Sequence, residues 1–143
     1  MDDLQISLKL LTKTARAPEF MREGDAAFDL YASEAVRIPP RSQIVVPTGI
    51  AMEIPVGFAG LIWDRSGLAA KNQLTTMGGL IDSNYRGEIR VILRNFGDTE
   101  YSVSIGDRVA QMVLQRHAKV TFNVVSELSH TNRGDGTFGS SGK

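Results

Sequence analysis

Fourteen glycines and five prolines are spread along the 143 residues and cut the apolar pattern into short pieces. The pieces cover residues 6–11, 43–46, 50–54, 58–63, 88–93 and 108–114, and they are rich in β-branched side chains. Several alternate in polarity, as in Glu88-Ile89-Arg90-Val91-Ile92-Leu93-Arg94. Short strands with turn signals between them predict an all-β sandwich or barrel. One short helix is expected over residues 66–71. There is no internal repeat and no sign of a second folded domain.

Charge narrows the range of partners. Sixteen basic and sixteen acidic side chains cancel, whereas a general nucleic-acid binder would carry a basic excess. A small anion held by a few placed arginines remains open. The chain has no cysteine, which removes disulfides and thiolate metal sites. Only His117 and His130 offer imidazole, and a zinc site on two lone histidines is not expected. No apolar run approaches the roughly 20 residues of a membrane span. No signal-peptide pattern follows the acidic start at Asp2 and Asp3. A cytosolic protein, or one of an equivalent reducing compartment, is expected.

Five segments have residues suited to chemistry. In Gly24-Asp25-Ala26-Ala27-Phe28-Asp29-Leu30-Tyr31, Asp29 faces away from the core if Phe28 and Leu30 face it. It is then either an ordinary outward carboxylate or one near a hydrated cation. In Asp64-Arg65-Ser66-Gly67-Leu68, a strand ends at Arg-Ser-Gly before a helical turn. Outward N–H groups, the Ser66 hydroxyl and the Arg65 fork suit an anion. Ser66 as a simple helix cap is the alternative. The run from Gly78 to Ile89 reads as a β-hairpin with Asp82 and Tyr85 at the neck of its turn. Asp82 there serves as a general base for water or merely opens the turn. In Gly106-Asp107-Arg108-Val109-Ala110-Gln111, a loop enters a strand and Gln111 has an amide to offer an anionic oxygen. Last, residues 133–143 hold four glycines and a single apolar side chain, Phe138. They cannot offset their backbone entropy alone. They form a frayed tail, or they wrap phosphates with backbone N–H groups.

Taken together, in this order and spacing, the five segments resemble the five motifs of the trimeric dUTPase family. Gly79-Leu80-Ile81-Asp82 through Tyr85-Arg86-Gly87, and Arg133-Gly134 through Phe138-Gly139-Ser140, are the most specific. The resemblance implies a jelly-roll-like β barrel over residues 1–130 and a flexible phosphate-binding tail over 131–143. It implies a homotrimer whose sites take motifs one, two and four from one subunit, motif three from a second and the tail from the third. It implies hydrolysis of dUTP to dUMP and pyrophosphate with Mg²⁺, which limits uracil in DNA and supplies dUMP for thymidylate synthesis.

Residue by residue, the family's roles fall as follows. Asp82 activates the attacking water, and Tyr85 packs under the deoxyribose. The backbone from Gly78 to Ile81, including Gly79, pairs with the uracil edge. Arg65, Ser66, Gly67 and Gln111 hold the phosphate chain. Arg133 and the Ser140-Ser141 segment reach the terminal phosphate, Gly139 is a further substrate-binding residue, Phe138 covers the base, and Asp29 meets the magnesium through water. The chain departs from the family pattern at Trp63-Asp64, where small residues or proline are usual. It departs again at Thr76, where some relatives place an asparagine, and at Thr137 and Ser141. The competing enzyme reading is a dCTP deaminase, which shares the fold but needs a glutamate-based deamination site. The competing non-enzyme reading is a nucleotide-sensing module, in which Asp82 or the tail would be lost.

Overall fold

The computed structural model describes residues 4–139 and 141–142. In chain order the first elements are β1 (Leu8–Leu10), β2 (Phe28–Tyr31), β3 (Val36–Ile38), β4 (Gln43–Pro47), β5 (Ile50–Met52) and β6 (Phe58–Trp63). After them come α1 (Ser66–Asn72), β7 (Leu74–Met77), β8 (Leu80–Ile81), β9 (Arg90–Asn95), β10 (Tyr101–Val103) and β11 (Arg108–Arg116). The fold is all-β apart from one helix of two turns, as the punctuated pattern predicts. Every strand pairing is antiparallel. One sheet has the order β2-β11-β6-β8 and a second the order β4-β9-β7. Two ribbons, β1-β5 and β10-β3, flank them.

All four sheets feed one core. Alternation places Val91, Leu93 and Asn95 of β9 inside and leaves Arg90 outside. Leu30, Ile38, Val46, Ile50, Ile89, Val109 and Met112 join them and are almost fully buried. Asn95 is the polar exception, and it is satisfied. Its amide donates to the Ile38 and Thr99 carbonyls at 3.0 and 2.8 Å, and its oxygen accepts from the Gly97 N–H at 2.9 Å. An unpaired amide there would cost about 1–3 kcal/mol.

Two registers build the floor of the site. β11 lies between β2 and β6, and Gln111 is opposite Asp29 on one side and Trp63 on the other. Residues opposite each other across antiparallel strands share a face. Three side chains distant in sequence therefore stand in one row.

The hairpin expected from Gly78 to Ile89 does not form. β8 pairs with β6, whereas β9 pairs with β4 and β7. The expected turn is present, closed by the Tyr85 N–H on the Asp82 carbonyl at 3.1 Å. Its two arms leave for different sheets. The backbone reverses at Gly78 and Gly79, with φ of +66° and +94°, and lays β8 on β6. The Ile62 N–H then donates to the Gly79 carbonyl at 2.9 Å. A Cβ on Gly79 would sit 2.9 Å from the Ile62 Cβ and 3.2 Å from its carbonyl oxygen. Gly79→Ala should therefore destabilise the fold by about 1–3 kcal/mol, seen as an earlier urea midpoint with an unchanged slope.

Beyond β11 the described residues have neither strand nor helix, and almost all are exposed. Among the described residues, no helix is long and apolar enough to cross a membrane.

Candidate active site

The row of Asp29, Gln111 and Trp63 opens into a cleft of about 720 Å³. Arg65, Ser66, Gly67 and Arg108 complete its walls, with Met21, Arg22 and Asp25 at the rim. Asp29 is not the exposed carboxylate that one sequence reading allows. All four residues of β2 are buried, and on the strand's outer edge the Asp29 N–H donates to the Glu19 carbonyl at 2.9 Å. The Asp29 carboxylate lies 3.2 Å from Nε of Arg65 and 3.3 Å from Nη1 of Arg108. One buried negative charge thus orients two guanidinium groups at the cleft, and the local balance stays positive.

Arg65 is held from another side by a donation from its Nη1 to the Arg108 carbonyl at 3.3 Å. Arg65 is also the N-cap of α1, which has no side-chain capping bond. Ser66 is thus the first helical residue rather than the cap, and it is exposed. Gln111 donates one amide hydrogen to the Asp64 carbonyl at 2.7 Å, leaving its second amide hydrogen for a ligand. Next to the cleft, the half-buried Tyr101 phenol is raised above its ordinary pKa. Burial is the main cause and Asp107 adds to it, with Arg65 opposing. It stays neutral at working pH.

Asp82 lies elsewhere. It lines a cavity of about 210 Å³ with Leu80, Ile81, Tyr85, Glu88 and Arg90. Glu88 is committed there, accepting from the Gly49 N–H at 3.0 Å and pairing with Arg90 at 2.6 Å. Asp82 is exposed and has no side-chain partner among the described residues, so it is the free acid of this cavity. The Tyr85 hydroxyl donates to the Glu88 carbonyl at 2.9 Å, which fixes its ring. β8 pairs on one edge only, so its other edge has open N–H and C=O groups.

The described residues of the tail line neither cavity of their own chain. Nε of Arg133 donates to the Gly136 carbonyl at 2.9 Å, and Phe138 is fully exposed. Gly139 has φ +93°, and a Cβ placed on it would meet nothing within 4 Å. Ser140 lies outside the described residues. The chain thus gathers Asp29, Arg65, Ser66, Gly67 and Gln111 in one place and Ile81, Asp82 and Tyr85 in another. Gly79 backs onto Ile62 between them. The sequence reading missed Arg108 as a cleft residue, although its segment was singled out. Its partner Asp29, 79 positions earlier, is visible only in the fold.

An arginine-lined cleft and a separate free carboxylate on an all-β chain suit an enzyme that handles a small polyanion. The dUTPase family model matches residues 13–142. Over 141 residues the chain is 44% identical to a deoxyuridine 5'-triphosphate nucleotidohydrolase of Picosynechococcus, covering 97% of this chain and 99% of that one. Its structure superposes on the dUTPase of Staphylococcus bacteriophage 80alpha, solved with dUpNHpp. The TM-score is 0.92 at 30% identity, over 97% of this chain and 99% of that one. A dUTPase from phage phi11 of S. aureus, solved to show coordination of a structural Mg(II) ion, gives 0.84 at 25% identity, covering 89% of this chain and 100% of that one. The chain belongs to the dUTPase family and is a hydrolase of dUTP.

Proposed function

We propose that dUTP is cleaved to dUMP and pyrophosphate by water attack on the α-phosphorus, at sites shared between three copies of the chain. The observation that supports sharing most strongly is the separation of the parts. The phosphate cleft and the Asp82 cavity have no lining residue in common, and the described tail lines neither. A second copy would bring Asp82 to the cleft, and a third would bring Arg133 and Phe138. A further feature suits assembly. Val120, Phe122 and Val124 alternate along the sequence, are 64%, 93% and 96% exposed, and have no strand partner among the described residues. A neighbouring copy gives them something to cover.

In this reading Arg65, Arg108 and Gln111 hold the phosphate chain, Ser66 and Gly67 add a hydroxyl and N–H donors, and Asp82 takes the proton from water. The open edge of β8 at Ile81 pairs with uracil, and Tyr85 presses on the deoxyribose. Arg133, Gly139 and Ser140 close on the terminal phosphate, and Phe138 covers the base.

Mg²⁺ fits only through water and phosphate. Among the described residues no group of three acidic or histidine side chains stands together, and both Asp29 oxygens already face guanidinium groups. Such a site suits an ion carried mainly by substrate oxygens, with Asp29 beyond its water shell. Bound in that way, it would neutralise part of the triphosphate charge.

The test is a nucleotide panel with product identification. With Mg²⁺ present, dUTP should give dUMP and pyrophosphate, and dTTP, dCTP and UTP should react far more slowly. Orthophosphate from dUTP, or ammonia from dCTP, would overturn the proposal.

A further inference from the structure

Asp64 and Thr76 are two of the positions at which this chain departs from the usual family pattern, and they touch. Asp64 ends the link from β6 and directly precedes Arg65, yet its side chain turns away from the cleft. Its Oδ1 accepts from the Thr76 N–H and from the Thr76 hydroxyl, the latter at 2.6 Å. Its Oδ2 accepts from the Thr75 hydroxyl at 2.7 Å. Its main-chain carbonyl accepts from Gln111 at 2.7 Å. β7 is an outer strand of its sheet, so Asp64 caps an edge that nothing else pairs. Burial works against the Asp64 charge, but the bonds from Thr76 and Thr75 outweigh it and hold the carboxyl below its ordinary pKa. The group is ionised at neutral pH, when all three donors are needed.

The consequence falls on the next residue. Arg65 has a long, flexible stem, and its head is held by Asp29 and the Arg108 carbonyl. With its backbone fixed by Asp64 as well, the fork is anchored at both ends before any ligand arrives. We propose that Asp64 is a positioning residue for dUTP hydrolysis: clasped by Thr75 and Thr76, it fixes the backbone from which Arg65 reaches the phosphate chain, without touching substrate itself. The inference rests on the phosphate chain lying in this cleft.

The test compares dUTP kinetics with inhibition by deoxyuridine, which has base and sugar but no phosphate. Asp64→Ala should raise KM for dUTP about tenfold and leave the deoxyuridine inhibition constant within about twofold. Thr76→Val should move KM the same way by less, and the double variant should be no worse than Asp64→Ala alone. Asp64→Asn, which keeps one acceptor oxygen, should restore part of the loss. If Asp64→Ala does not fold, Thr75→Val and Thr76→Val carry the same comparison. A lowered melting temperature with unchanged KM for dUTP, or equal weakening of dUTP and deoxyuridine, would reduce Asp64 to a purely structural part and overturn the inference. Arg65→Ala separates the two levels. If it raises KM and Asp64→Ala does not, the inference alone fails. If it too leaves KM unchanged, the reading of the cleft fails with it.

Discussion

Asp82→Asn should retain binding of dUTP and lose about 10²–10⁴-fold in kcat. The amide keeps the shape and one acceptor oxygen of the carboxylate but cannot take a proton at working pH. Asp82 is exposed and holds no side-chain partner among the described residues, so the substitution leaves no buried group unsatisfied. Its cavity offers no ready substitute, because Glu88 is tied to Gly49 and Arg90. Loss in kcat without loss of binding therefore separates a base from a residue that merely shapes the turn. The check is single-turnover hydrolysis beside titration with a non-hydrolysable dUTP analogue. Near-normal turnover would reassign the base.

The all-β class was legible because glycine and proline punctuation and β-branched runs are local signals. β6 falls where its apolar run predicts, and α1 starts at the expected Ser66. β7 was missed: Leu74-Thr75-Thr76-Met77 is β-branched but short, and it becomes a strand by pairing with β9. The hairpin from Gly78 failed for the same reason. Proximity in sequence favours pairing β8 with β9, while the positive φ of Gly78 and Gly79 sends β8 to β6 instead. For the cleft, the sequence names Asp29, Arg65 and Gln111 but not the contacts that bring them together. Arg108 meets Asp29 only because β11 lies on β2. The clasp of Asp64 by Thr75 and Thr76 likewise joins residues 11 and 12 positions apart across α1, and only the fold shows it.

Removing the tail should be nearly as damaging as removing the base. In the proposed site, a chain ending at Asn132 would lack Arg133 for the terminal phosphate and Phe138 for the base, where stacking is worth roughly 1–3 kcal/mol. It also lacks the segment that would keep bulk water from the phosphates. The core should be unaffected, since the described tail residues are almost all exposed. Melting temperature should hold while kcat/KM for dUTP collapses.

These two inactive variants together test the shared site. One is Asp82→Asn with an intact tail, and the other is the Asn132 truncation with Asp82 intact. Co-refolded in equal amounts, trimers of three times the 15.6 kDa chain should form at random. Each required contribution is sound about half the time, so about one quarter of the sites should have both when Asp82 and the tail come from different chains. The measurement is dUTP turnover in mixtures shown by native mass spectrometry to contain hybrid trimers. Activity approaching a quarter of the unmodified enzyme is the result expected for a site built from several copies. Activity no higher than that of the two parents would place Asp82 and the tail of one site on the same chain and contradict that architecture.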